Sequence, residues 1–174
     1  MIASAEETLL DILRTQSIHG LHLGMTDKQI EAELGKPDNI DVPYEIEDED
    51  VWKQRNWIYK DLFLVLKDTL LASISLELRH KDILESEALD LETSNTLREL
   101  KYDDVVSCLR KAGFNLMCID DPFFLSSDNY DEKEILFLPE EHTILQFDVI
   151  NHYYLASIST KDRAHYGRWK LADC

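Results

Sequence analysis

The pentapeptide Leu-Ala-Ser-Ile-Ser occurs twice in this 174-residue chain, at residues 71–75 and 155–159, which are 84 residues apart. The similarity extends upstream at the same spacing, because Phe63 corresponds to Phe147. A shared five-residue string alone is weak evidence, but the extended correspondence favours one structural unit used twice. Because a single short unit often cannot bury its own apolar face, two copies predict one continuous sheet or a shared core.

A second correspondence lies earlier in each half, where Ile30 and Leu34 match Val105 and Leu109 at an offset of 75 residues. The difference between the two offsets predicts a longer loop in the second copy. We therefore predict two halves: residues 1–80, and residues 81–174 with a short basic tail at the C-terminal end.

Capping signals and apolar spacing predict the same order of elements in each half. Ser4 with Glu7, and Thr26 with Gln29, match the capping box that begins a helix. Gly35 suits the left-handed position that ends the second helix. Further helices are expected over residues 83–97 and 102–112, and strands over 51–59, 62–67, 70–78, 116–119, 135–138, 143–150 and 153–159. The predicted fold is α+β, with two helix-helix-antiparallel-meander repeats and the helices on one face of the sheet.

Alternation within the last strand of each half predicts which face is buried. The core face is expected to carry Leu70, Ala72, Ile74, Leu76 and Leu78 in the first copy and Tyr154, Ala156 and Ile158 in the second. Serines and Glu77 occupy the opposite side. One face of the sheet is therefore expected to be free for water or a partner.

The first half also resembles a known family. Gly24-Met25-Thr26 is followed by the helix residues Ile30 and Leu34, by Gly35 and Pro37, and by strands that carry Trp57, Tyr59 and Phe63. This pattern resembles the helix-helix-meander module of the small outer-membrane assembly lipoproteins. In tandem, the same module is the fold of the beta-lactamase inhibitor proteins, which grip an enzyme with the sheet face. The resemblance covers residues 20–78 and is faint over 98–160; it implies the fold and a protein-inhibiting mode of action.

The chain is strongly acidic, with 35 acidic residues against 18 basic ones and a net charge of −17. Such a surface repels the phosphates of nucleic acids, so direct nucleic-acid binding is disfavoured. It attracts a basic partner and accelerates the encounter. The simpler alternative is that the charge only keeps the protein soluble.

Acidic and aromatic residues gather in two segments that precede strands. Aromatic rings beside carboxylates suit a protein-binding surface, because the rings anchor the contact and the charges steer it. The expected partner-binding residues are Glu45, Glu47, Asp48, Glu49, Asp50, Trp52, Asp121, Asp128, Tyr130, Asp131, Glu132 and Glu134. Two alternatives stay open: the neighbouring Trp57, Phe123 and Phe124 belong to the core, and the acidic segments are merely solvated.

Signals for catalysis, metal binding and cofactor binding are poor, and we expect none of these sites. The glycines lack the pattern of a phosphate-binding loop, and His19 and His22 lack the companions of a zinc site. Cys108, Cys118 and Cys174 are interpreted as reduced thiols. With no recognisable signal peptide and no apolar run of about 20 residues, the sequence predicts a cytoplasmic protein that does not contact membranes.

These observations together predict a binding protein rather than an enzyme. The leading hypothesis is a cytoplasmic immunity protein that neutralises a basic bacterial toxin, for example a nuclease, as a monomer or in a 1:1 complex. Two alternatives use the same features: a DNA-mimicking regulator or anti-defence protein, in which carboxylates imitate phosphates, and an assembly adaptor that binds peptides on its sheet. A small-molecule enzyme is the last alternative.

Overall fold

The structure of the chain is a computed structural model that describes residues 4–41, 54–78, 92–119, 133–148, 153–161 and 171–173. In these ranges the chain forms helices and strands in the following order: α1 Ala5–Thr15, α2 Asp27–Leu34, β1 Asn39–Asp41, β2 Gln54–Tyr59, β3 Leu62–Lys67, β4 Leu70–Glu77, α3 Glu92–Leu97, α4 Tyr102–Lys111, β5 Met117–Ile119, β6 Lys133–Leu138, β7 Thr143–Asp148, β8 Tyr154–Lys161 and β9 Leu171–Asp173.

All nine described strands belong to one antiparallel sheet, in the order β1-β2-β3-β4-β8-β7-β6-β5-β9. The prediction of two helix-helix-meander repeats is therefore wrong as a description of the architecture, although the α+β class fits. The reason is that β4 and β8 would each leave an unpaired edge if the halves were separate. Their backbone groups pair with each other instead, and a single sheet results.

The two Leu-Ala-Ser-Ile-Ser segments meet at the centre of this sheet. In the pairing of β4 with β8, Ser75 lies opposite Ser159, and Glu77 lies opposite Ser157. The matching serines of the two pentapeptides thus face each other across one pair of strands. The strands on the two sides of this pair, β3 with β7 and β2 with β6, are therefore related by an approximate twofold rotation.

A β-bulge in each of these strands changes which residues enter the core. Between β3 and β4 the pairing passes from Ser73 to Leu71, so Ala72 is the extra residue; Ala156 is the extra residue in β8. Leu71 is 2% exposed and Leu155 is 1% exposed, whereas Leu70 is 46% exposed. The predicted core positions Leu70, Ala72, Tyr154 and Ala156 are therefore wrong, because strict alternation does not continue through a bulge.

The predicted correspondence of Phe63 with Phe147 is also wrong. Phe63 pairs with Ser75 and is half-buried, whereas Phe147 pairs with Leu155 and is completely buried. The cause is the length of the two connections. Asp68 and Thr69 alone join β3 to β4, while residues 149–153 separate β7 from β8. Equivalent positions of β3 and β7 are therefore not 84 residues apart, although those of β4 and β8 are.

The first two helices begin where the sequence predicts. Both capping boxes are present: the Ser4 side chain accepts a hydrogen bond from the Glu7 backbone, and the Thr26 side chain accepts one from the Gln29 backbone. Gly35 follows α2 with φ +79°, a conformation that favours glycine. The caps depend on residues that are close in sequence, which is why they can be recognised from the sequence alone.

The second pair of helices is described in part. The structure has α3 over Glu92–Leu97, and the remainder of the predicted helix lies outside the described residues. The bounds of α4 agree with the prediction to within one residue. Equivalent backbone hydrogen bonds tie the strands to the chain before α2 and α4: Leu71 donates to Met25, and Leu155 donates to Leu100, each at 2.8 Å.

Side chains from the helices and from one face of the sheet form a single apolar cluster. Leu9 and Leu13 of α1, Ile30 of α2 and Leu109 of α4 are all at most 1% exposed in this cluster. Every described helix contributes to it, so these helices cover one face of the sheet. The opposite face is the only broad surface of the described sheet that they leave uncovered.

Candidate functional site: the open face of the sheet

Strand register defines the face of the sheet that lies opposite the helices, which we call the open face. Directly paired residues of antiparallel strands point to the same side. One row of such pairs crosses the sheet and consists of Ile58, Phe63, Ser75, Ser159, Ile144 and Phe137. None of these residues belongs to the apolar cluster beneath the helices.

An apolar stripe occupies the first half of the open face and consists of Ile58, Phe63, Val65 and Leu70. The first three are half-buried. Leu70 is 46% exposed, a high value for a leucine within a sheet. Ile58 pairs directly with Phe63, so the two side chains are cross-strand neighbours. These side chains offer apolar surface that is still accessible to a second molecule.

The second half of the open face differs in burial. Ile135, Phe137 and Ile144 form a small separate cluster, against which Met117 packs. Their exposed fractions are 6%, 4% and 5%, respectively. The two halves of the open face therefore present similar side-chain types but very different accessible surface.

Serine hydroxyls separate the two halves along the centre of the sheet. The hydroxyl oxygens of Ser75 and Ser159 are 2.7 Å apart, and the Ser157 hydroxyl donates to the Gln146 side-chain oxygen at 3.1 Å. Ser157 is 2% exposed and Ser159 is 8% exposed. Because these groups are hydrogen-bonded, their burial costs little.

The predicted partner-binding residues fall almost entirely outside the described residues. Glu45, Glu47, Asp48, Glu49, Asp50, Trp52, Asp121, Asp128, Tyr130, Asp131 and Glu132 have no described position. Glu134 is placed in β6, opposite Phe147 in the pairing with β7. Their role in binding therefore remains a prediction. The open alternative for Trp57 is settled in favour of the core, since its side chain is 4% exposed.

Sequence reasoning anticipated a free sheet face but did not identify the apolar stripe. The signal was present in β2 and β3, where Ile58, Phe63 and Val65 alternate with buried Trp57 and Leu64. In β3 every residue from Leu62 to Leu66 is apolar, so its pattern does not distinguish a free face from a covered one. The sequence pattern predicts Leu70 in the core because strict alternation does not show the bulge at Ala72.

A second surface feature is a cleft of about 400 Å³ between α1 and α4. It is lined by Glu6, Leu10, Arg14, Asp104, Ser107, Cys108, Lys111 and Ala112. Burial raises the pKa of the Cys108 thiol, with a further contribution from Glu6, while Lys111 and Arg14 act in the opposite direction. A raised pKa reduces the thiolate fraction at neutral pH, and the thiolate is the reactive form.

The interpretation of all three cysteines as reduced thiols is wrong. Cys108 is a free thiol, but Cys118 in β5 is disulfide-bonded; Cys174 lies outside the described residues. The cause of the error is that the linear spacing of cysteines does not show which of them the fold brings together. Disulfides persist mainly in oxidising compartments, so the cysteines no longer support the predicted cytoplasmic location.

The described ranges contain no group of three or more His, Cys, Asp or Glu side chains that could hold a metal ion. No helix in those ranges is both long enough and apolar enough to span a membrane.

Comparison with known proteins gives similarity of fold only. No protein-family model matches the chain, and no curated protein matches it. A DUF4309 family protein, YjgB, from Bacillus subtilis subsp. subtilis str. 168 aligns over 92% of this chain and 98% of its own length, with 13% identity and a TM-score of 0.51. An extracellular protein containing a SCP domain from Bacillus anthracis str. Ames aligns over 99% of this chain, with 14% identity and a TM-score of 0.48. This chain spans about half of that protein, 52% of its length.

Proposed function

We propose that this chain is an inhibitor that binds a basic protein, and that it serves as the immunity protein of a bacterial toxin. The observation that carries the proposal is the open face, where the apolar stripe leaves the 46% exposed side chain of Leu70 without cover. Accessible apolar surface of this kind typically marks a site of protein association.

Charge supports the same function and specifies the partner. The chain carries a net charge of −17, so its overall electrostatic potential is negative. This potential attracts a positively charged protein and raises its association rate, by about tenfold or more at low ionic strength. A toxin that acts on nucleic acid has a basic substrate groove, so its charge is complementary to that of this chain.

Co-expression with the product of the adjacent gene tests the proposal. We expect this chain to rescue growth of cells that express the toxin, and the two proteins to elute together in gel filtration. The association rate should fall by about tenfold between 50 mM and 500 mM salt, because the ions screen the attraction. A toxic neighbour that is neither neutralised nor bound by this chain would contradict the proposal.

A peptide-binding adaptor is the second candidate, and one specific observation favours it. Strand β1 lies at the edge of the sheet, and its Ile40 is 51% exposed. An edge strand can accept an extended peptide as a further strand, with backbone hydrogen bonds supplying affinity. Replacing Ile40 with proline would block a peptide added at β1 but would leave binding at the open face intact.

A further inference from the structure

We propose that Cys118 is bonded to Cys174 and that this disulfide is a redox-sensitive latch, which keeps strand β9 on the edge of the sheet until a dithiol reduces it. The latch lies at the end of the sheet opposite β1 and does not depend on the function proposed above. Two observations lead to it: the states of the cysteines, and the register of β5 with β9.

The states of the cysteines leave one pairing within the chain. The sequence contains three cysteines. Cys108 is a free thiol, and Cys118 is disulfide-bonded. Cys174 is then the one cysteine of the chain that can supply the second sulfur. A bond from Cys118 to another molecule is the alternative, and the size of the disulfide-linked species distinguishes the two.

The register of β5 with β9 brings the two cysteines close together. Cys118 lies directly opposite Ala172, which is two positions before Cys174. Positions related by this diagonal share a face of an antiparallel pair, with Cα atoms about 7 to 8 Å apart. A disulfide joins Cα atoms about 4.4 to 6.8 Å apart. The described pairing ends at Asp173, so a small departure after that residue suffices to form the bond.

The pairing of β9 with β5 is short. Strand β9 contains three residues, Leu171–Asp173, and among the described strands it pairs with β5 alone. So short a pairing gains few backbone hydrogen bonds, and the conformational entropy lost by three ordered residues offsets them. A covalent link reduces that loss, because it keeps the strand beside β5 when the hydrogen bonds open. The disulfide therefore decides whether β9 stays paired.

The position of Cys118 makes the bond accessible to a small reductant. Its side chain packs against the apolar cluster beneath the helices, which also contains Leu136, its partner in β6. The side chain is half-buried rather than enclosed. Because the rate of thiol–disulfide exchange depends on access to the sulfur, a small dithiol can attack this bond at the edge of the sheet.

Reduction by a dithiol opens the latch in two steps. One thiolate of the dithiol attacks a sulfur of the bond, forms a mixed disulfide with that cysteine and expels the other cysteine as a thiolate, which takes up a proton. The second thiolate of the dithiol then displaces the first cysteine, which is also protonated, and a cyclic disulfide closes. The protein gains two electrons and two protons, and the dithiol loses the same number. Strand β5 then becomes the edge of the sheet.

Peptide mapping without reductant tests the pairing. The chain is denatured in the presence of iodoacetamide, digested and analysed by mass spectrometry. We expect one cross-linked peptide that contains Cys118 and Cys174, and an alkylated Cys108, all from monomeric protein. Alkylation of Cys174 in the monomer, or a disulfide-linked dimer on a non-reducing gel, would overturn the pairing and the latch with it.

Hydrogen–deuterium exchange tests the latch, with dithiothreitol as the dithiol. On reduction we expect amides of β5 and β9 to exchange about tenfold faster or more, and those of β4 and β8 to change by less than about twofold, since the opening is local. Unchanged exchange in β5 and β9 after complete reduction would overturn the latch while leaving the pairing intact. Faster exchange throughout the sheet would also overturn it, because the bond would then hold the whole fold rather than one strand.

Cysteine variants provide the matched comparison. Cys174→Ser and Cys118→Ser should both show the fast exchange of β5 and β9 without any reductant. Cys108→Ser, which removes the free thiol of α4, should keep the slow exchange and the response to dithiothreitol. If Cys118→Ser does not fold, Cys174→Ser and the reduced wild type decide the outcome. Slow exchange in Cys174→Ser would contradict the latch.

Discussion

Ser75 and Ser159 lie opposite each other in β4 and β8, and their hydroxyl oxygens form a 2.7 Å hydrogen bond. This bond joins the two halves of the sheet at its centre. Removing one hydroxyl leaves the other without this partner in a largely buried position, since Ser159 is only 8% exposed. Loss of a partner is more costly than loss of both groups, because the remaining hydroxyl stays desolvated.

We therefore expect Ser75→Ala and Ser159→Ala each to lower the free energy of unfolding by about 1 to 2 kcal/mol. The double variant should lose clearly less than the sum of the two, and urea unfolding measures all three. Ser107→Ala, at an exposed position of α4, is the control and should change stability by less than about 0.5 kcal/mol. Strict additivity of the two central substitutions would show that the hydroxyls do not interact.

Tyr59 connects β2 to the end of α2. Its side chain is 2% exposed, and its hydroxyl donates to the Gly35 carbonyl at 3.0 Å. Tyr59→Phe should lower the free energy of unfolding by about 1 kcal/mol near neutral pH, because it leaves that carbonyl without this donor. Tyr153→Phe, at a 44% exposed position, is the matched control and should have little effect.

Tyr59 should also make the fold sensitive to alkali. Burial, and then the charges of Glu31 and Asp38, raise its pKa from 10.0 to about 12. Between these two values the unfolded chain loses the proton while the folded chain keeps it, so stability falls as the pH rises. Urea midpoints from pH 8 to pH 11.5 should decline less in Tyr59→Phe than in the wild type. Equal declines would assign the alkaline sensitivity to other groups.

His19 should make the fold sensitive to acid. It occupies a tight turn in which Ile18 and Leu21 exchange two backbone hydrogen bonds of 3.0 Å, and its buried Nε2 atom lacks a hydrogen-bond partner. Burial lowers the pKa of His19 below the ordinary value of 6.5. The unfolded chain therefore takes up a proton at a higher pH than the folded chain, and stability is lost as the pH falls below about 6.5.

Replacement of His19 by asparagine should flatten this acid dependence. Asparagine tolerates the positive φ of this position, +54°, better than most residues do, so the turn should persist. Thermal unfolding between pH 7.5 and pH 4.5 provides the comparison, with His22→Asn at an exposed neighbouring position as the control. An unchanged pH profile in His19→Asn would exclude His19 as the cause.

Thr69 is strained in the turn between β3 and β4. Both turn residues have positive φ, +49° at Asp68 and +72° at Thr69, and a β-branched residue rarely adopts this conformation. Thr69→Gly should raise the free energy of unfolding by about 1 kcal/mol, because glycine removes the strain. Lys67→Gly, in the adjacent strand, should be destabilising. If both substitutions destabilise the chain, strain at Thr69 is not significant.

The elements of this fold that the sequence could predict are those that depend on contacts between residues close in sequence. The capping residues Ser4 and Thr26 determine helix starts through contacts three residues away, and the turn at Asp68 and Thr69 fixes the hairpin of β3 and β4. Such patterns predict most of the described helices and strands. They do not predict the three-residue strands β1 and β9, which are too short to show a hydrophobic period.

The features that sequence reasoning missed depend on long-range pairing. The bulge at Ala72 exists only in relation to the partner strand β3, and it moved Leu70 from the predicted core to the open face. The disulfide at Cys118 likewise is not apparent from the linear spacing of the cysteines. For the same reason the difference in burial between the two halves of the open face could not be predicted, since the burial of Phe137 in the second half shows no trace in the local pattern.

The pairing of β4 with β8 has a consequence for the order of folding. Its central contact joins residues 84 positions apart, whereas the hairpin of β3 and β4 closes over a two-residue turn. Long loops close slowly, so each local hairpin forms well before this central pair of strands. Until then both strands expose unpaired backbone edges, and it is in this interval that the chain is most prone to aggregate.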